Sequence, residues 1–132
     1  MRDATALLHS SMPLCAELGM RATAIAADRC VVELDWRPEL CTVGGALHGG
    51  ALMALADSAG AACAFANLPD GATGTSTIDS QTNLLAGVRE GTVTATAAPL
   101  HVGSSTIVVE TEVRRADGRL AAKTTQTQIV LR

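Results

Sequence analysis

The stretch His48-Gly49-Gly50-Ala51-Leu52-Met53-Ala54-Leu55-Ala56-Asp57-Ser58-Ala59-Gly60-Ala61-Ala62-Cys63-Ala64-Phe65-Ala66 decides the fold of this 132-residue chain. From Ala51 to Ala66 it is small or apolar on every side of a helical wheel, and a helix of that kind is expected inside a protein. Asp57 is the one ionised group in the run. Burying a carboxylate costs several kcal/mol unless something nearby uses it. Two glycines at the head of the same helix form a ready site for an oxyanion. The plainer alternative, a capped core helix whose acid faces water, gives the diglycine no task.

Working outward, Glu39 to Leu47 reads as a Gly-containing loop that delivers the chain to His48, and Asn67-Leu68-Pro69-Asp70-Gly71 closes the helix. Upstream, Ala4 to Leu18 reads as a helical lead-in broken near Pro13 and stopped by Gly19. Arg21 to Ala27 and Cys30 to Trp36 alternate as a hairpin about Asp28-Arg29, ended by Arg37-Pro38. Downstream, Thr, Val and Ile dominate, and strands are expected at Thr73 to Leu85, Thr92 to Val102, Ser105 to Arg115 and Leu120 to Leu131. Strands that follow one another without crossover helices make an antiparallel sheet. Its long strands curl, and a curled sheet can wrap the single long helix. The expected class is α+β: one central helix in a sheet of about six strands, as one domain over residues 1–132.

Composition narrows the function. Hydrophobic residues make up 48% of the chain, ample for a core, while Trp36 and Phe65 are its only aromatics. That scarcity, with a net charge of -3, argues against nucleic acid as a partner. The apolar run is shorter than the roughly 20 residues of a membrane span, and the opening residues lack a secretory pattern, so a cytoplasmic protein without a membrane partner is expected. Cys15, Cys30, Cys41 and Cys63 form no Cys-x-x-Cys pair, which favours free thiols in a reducing compartment. Cys41 with His48 lacks the further ligands or partners that a zinc site or a thiol nucleophile requires. No metal is expected.

The element order, with Gly44-Gly45-Ala46-Leu47-His48-Gly49-Gly50 and Leu55-Ala56-Asp57-Ser58-Ala59, resembles the hotdog-fold acyl-CoA thioesterases, in particular the PaaI-like group that includes phenylacetyl-CoA and hydroxybenzoyl-CoA thioesterases. The resemblance covers nearly the whole chain. It implies that Asp57 is the catalytic carboxylate, as general base or nucleophile, that the Gly49 N–H polarises the thioester carbonyl, and that His48 shapes the loop and contacts the thioester end. Family members usually carry Asn or Gln six residues before the His, where this chain has Thr42, a hydroxyl with shorter reach. Thr77 stands where some members use a hydroxyl on the first strand after the helix. The substrate the resemblance implies is then an acyl-CoA of small or medium chain, aryl groups included, with CoA as part of the substrate and no separate cofactor.

Chemistry and spacing add two expectations. Gly49 and Gly50 leave the first-turn donors open to a carbonyl, and cations near the mouth, among Arg89, Arg114, Arg115, Arg119 and Lys123, would meet the CoA phosphates. Gly49 and Asp57 lie eight residues apart on one helix, about 12 Å at 1.5 Å per residue. One carbonyl cannot touch both, so a site using both combines two copies in a homodimer, with a homotetramer as an extension. Two other classes fit the scaffold: a non-catalytic acyl-CoA or acyl-carrier sensor, and a hydratase or dehydratase using His48 and Asp57 as an acid/base pair.

Overall fold

In the computed structural model, which describes residues 3–132, the 17-residue helix α3 (Gly49–Phe65) lies across one face of a six-stranded antiparallel sheet. The strands are β1 (Arg21–Ile25), β2 (Cys30–Asp35), β3 (Gly74–Leu84), β4 (Thr92–Val102), β5 (Thr106–Arg114) and β6 (Leu120–Leu131), in the spatial order β1-β2-β4-β5-β6-β3. This is the hotdog arrangement. Helix α3 carries the chain across the sheet between β2 and β3, so β3 joins at the far edge beside β6.

Alternation along the strands sets the core. Cys30, Val32 and Leu34 of β2, Val93, Ala95 and Ala97 of β4, and Ile107, Val109 and Val113 of β5 turn inward. They meet Leu52, Leu55, Ala56, Ala59, Cys63 and Ala64 of α3, where the small Ala and Cys side chains let the helix sit close to the sheet. The lead-in forms α1 (Ala4–Ser11), capped by the Asp3 side chain, and α2 (Pro13–Leu18), which starts at its proline and ends at Gly19 with φ 78°.

Two features go beyond the sequence reading. The helix is not enclosed all round: Met53, Asp57 and Phe65 form an exposed stripe, because the sheet covers only one side of α3. The core is also not uniformly apolar. On β6 the inward row runs Ala122, Thr124, Gln126, Gln128, Val130, and both glutamines are fully buried. The loop before α3 is more ordered than a plain connection, with 3₁₀ turns at Pro38–Leu40 and Val43–Gly45 and a bridge between Cys41 and Leu47.

Candidate active site

The helix head is held from two sides. The Leu47 N–H donates to Val88 O at 2.8 Å and the His48 N–H to Leu40 O at 2.9 Å. His48 is the N-cap: its Nδ1 accepts the Gly50 N–H at 2.8 Å, while its carbonyl accepts from Ala51 and Leu52 at 2.8 and 3.3 Å. The Gly49 N–H is thereby left as the first-turn donor without a partner among the described residues. It lies at the positive end of the helix dipole, where an oxyanion is stabilised. A Cβ on Gly49 would come 2.6 Å from Leu84 Cδ1, and one on Gly50 would come 2.9 Å from His48 Nδ1. Because Nδ1 accepts, the neutral imidazole carries its proton on Nε2.

Two turns along, Asp57 projects from the exposed stripe. Its Oδ1 accepts a hydrogen bond from Gln126 Nε2 at 3.1 Å. Thr77 stands beside a bulge, where the β3–β6 register shifts between Thr77 and Asp79 and leaves Ile78 as the extra residue. The shift keeps Thr77 and Ser80 on the inner side, opposite Gln128 and Gln126. The Thr77 Oγ1 accepts from Gln128 Nε2 at 2.6 Å, and Thr82 and Thr124 share a hydrogen bond of 2.7 Å. Asp57 and Thr77 are thus tied to adjacent inward positions of one strand. Thr42 is not among them: it is exposed in the loop before the helix.

Sequence reasoning missed Gln126 and Gln128. Lys123 and Thr125 on one side of the alternation and Ala122 and Val130 on the other carried the signal, since a lysine turned outward sends Thr124, Gln126 and Gln128 inward. The neighbouring Cys15 is no competitor as a nucleophile. Burial pushes its thiol up, only partly offset by a hydrogen bond with Ser58. All four cysteines are free, and no cluster able to hold a metal occurs among the described residues.

The expected cations separate into two groups. Arg89 and Arg115 share a cleft of about 210 Å³ with Gly87, Glu90 and Asp117, next in sequence to Val88, whose carbonyl accepts the Leu47 N–H just before the helix head. Arg115 donates to Gly87 O at 3.0 Å and pairs with Asp117, whose carboxyl it holds down at about 2. Arg114 is elsewhere, paired with Glu112 at 3.0 Å, and Lys123 pairs with Glu110 at 3.6 Å. Arg119 sits in the β5–β6 turn, where its N–H donates to Asp117. A second, apolar cleft of about 350 Å³ opens one turn beyond Asp57, lined by Leu7, Leu8, Met12, Ile25, Ala61 and Phe65 among others.

Comparison with known proteins gives the family. Residues 44–122, from the loop before the helix head into β6, match the model of the Thioesterase superfamily. The chain belongs to that superfamily. Among superfamily relatives, ComA2 of Bacillus subtilis is 38% identical over 104 residues, covering 78% of this chain and 82% of its own. Rv1847 of Mycobacterium tuberculosis is 34% identical over 103 residues, covering 76% and 74%. Both are assigned by name as esterases. The solved thioesterase HI1161 of Haemophilus influenzae superposes with a TM-score of 0.89 at 25% identity, covering 99% of this chain and 92% of that one. PaaI of Escherichia coli shares the fold, with a TM-score of 0.87 at 20% identity over 98% of this chain and 91% of its own. The protein is a thioester hydrolase.

Proposed function

We propose that this thioesterase hydrolyses acyl-CoA esters of small or medium chain at a site completed by a second copy of the chain. The observation that carries the reading is the pairing of an unpartnered Gly49 N–H with an exposed Asp57 on one uninterrupted helix. Eight residues of helix separate them by about 12 Å, too far for one carbonyl. Antiparallel α3 helices about a two-fold axis bring Gly49 of one protomer to Asp57 of the other, twice. The surface supports this. Met53 and Phe65 on the stripe are 46% and 60% exposed, and β3 leaves its outer edge unpaired, with Ile78 and Leu84 59% and 52% exposed. An apolar stripe beside an open strand edge favours burial against a second copy.

In this site the thioester carbonyl accepts from the Gly49 N–H, and His48 offers Nε2–H beside it. As general base, Asp57 takes a proton from water while the hydroxide adds to the carbonyl carbon. The tetrahedral oxyanion then collapses, breaks the C–S bond and releases the CoA thiolate, which picks up the proton. As nucleophile, Asp57 adds to the same carbon, CoA leaves, and water cleaves the mixed anhydride. CoA phosphates meet Arg89 and Arg115, and the acyl group enters the apolar cleft beyond Asp57. A hydratase would need His48 as a base, but its free lone pair is taken by the Gly50 N–H.

Thiol release from a series of acyl-CoAs tests the reading: Asp57→Asn is expected to slow turnover by orders of magnitude with the fold intact. Turnover at the full rate in that variant removes Asp57 from the chemistry. Label found in the Asp57 carboxylate after a single turnover in ¹⁸O-water identifies the anhydride route.

A further inference from the structure

We infer that Gln126 is a positioning residue for Asp57, with Gln128 serving Thr77 in the same way, so that β6 carries a two-amide rack for the reaction. The inference rests on the reading of Asp57 as the group that acts on the thioester.

Stability does not account for Gln126. Its side chain is fully buried, and while Nε2 reaches Asp57 at 3.1 Å, Oε1 has no hydrogen-bond partner. An orphaned buried acceptor weakens a fold, whereas an apolar side chain of the same shape would fill the space without that cost. The opposing helix has also given way. A Cβ on Gly60 would collide with the Gln126 carboxamide, so α3 carries glycine, a poor helix former, at a fully buried mid-helix position. Gly60 and Gln126 form a matched pair whose product is one amide N–H aimed at Asp57.

That N–H gives the carboxylate a defined orientation. Asp57 is otherwise exposed and free to rotate, and only the N–H end of an amide can face its oxygen. With Oδ1 held, Oδ2 is the oxygen left to meet water or the carbonyl carbon. Gln128 acts similarly from two residues away on the same face. It donates to Thr77 Oγ1 at 2.6 Å, which obliges Thr77 to direct its own O–H elsewhere, as a donor. The bulge at Ile78 keeps Thr77 in register with Gln128 for this contact.

The test is a double-mutant cycle on the full-length protein with a turned-over acyl-CoA. Gln126→Met is expected to lower kcat about tenfold or more, the effect of a lost hydrogen bond to a charged group. KM should stay within about twofold and Tm should hold or rise. In the Asp57→Asn background, Gln126→Met is expected to change the residual rate no further. Should Gln126→Met fail to melt cooperatively, Gly60→Ala, which displaces the same amide from the other side, is read in its place for the same kcat loss. The inference is overturned if kcat is unchanged, if KM rises while kcat holds, or if the loss is equally large without Asp57. Full turnover by Asp57→Asn alone would instead sink the underlying reading, so the two failures are distinguishable.

Discussion

Leu84, at the end of the edge strand, occupies the space that a side chain on Gly49 would need, with its Cδ1 2.6 Å from where that Cβ would stand. The helix head and β3 are therefore fitted to each other at the residue whose N–H is free. The contact is with the far end of a flexible side chain, so substitution forces Leu84 aside without breaking backbone.

Gly49→Ala is expected to fold with a lowered Tm and to lose most of its turnover, because the methyl group stands before the donor as well as against Leu84. Adding Leu84→Ala should recover Tm but not kcat. Thermal melts and thiol-release kinetics on both variants check this. Recovery of kcat with Tm would mean that crowding alone, and no oxyanion contact, makes glycine necessary.

Arg89 and Arg115 share one cleft near the helix head. Arg89→Ala and Arg115→Ala are expected to raise KM for acyl-CoA several-fold with kcat little changed, since phosphates far from the carbonyl contribute equally to ground and transition states. The same acyl group on a pantetheine thiol without phosphates should show no such effect. Arg114→Ala, which removes only the pairing with Glu112 and the Gly118 carbonyl, serves as the control.

Asp35 accepts from Arg21 at 2.8 Å and from Thr92 at 2.6 Å, and these bonds hold its carboxyl below the usual 3.8. A carboxyl lowered by folding favours the folded chain once ionised, so the contribution is present above pH 4 or so and fades as the pH falls below it. Asp35→Asn should therefore lower Tm at neutral pH and leave it unchanged in strong acid. The pair is exposed, so solvent screening keeps the effect to about 0.5 kcal/mol or less. A Tm difference that grows toward acid pH would contradict the assignment.

Much of the fold was legible because its signals are local. Pro13 and Gly19 bound the short helices, and β4 and β6 run over Thr92–Val102 and Leu120–Leu131, between the turn residues that delimit them in the sequence. The diglycine and Asp57 are visible because an isolated charge and a helix head stand out in an apolar run. What the sequence hid depends on pairing. No local pattern says that β3 lies against β6, and only that pairing places Thr77 over Gln128. Gln126 was likewise hidden, since an amide on a strand reads as surface until the opposite face is known to carry Lys123. The openness of the Asp57 side of α3 escaped for a related reason: alanines pack on a sheet or on a second helix equally well.

The central claim is that each active site joins Gly49 of one protomer to Asp57 of another, and mixed dimers test it most directly. Asp57→Asn and Gly49→Val chains, each inactive alone, can be co-expressed with different tags and the mixed species isolated through both. One of its two sites then carries both lesions and the other none, so the mixed dimer should turn over at about half the wild-type rate per dimer. A mixed dimer as inactive as its parents would contradict the account.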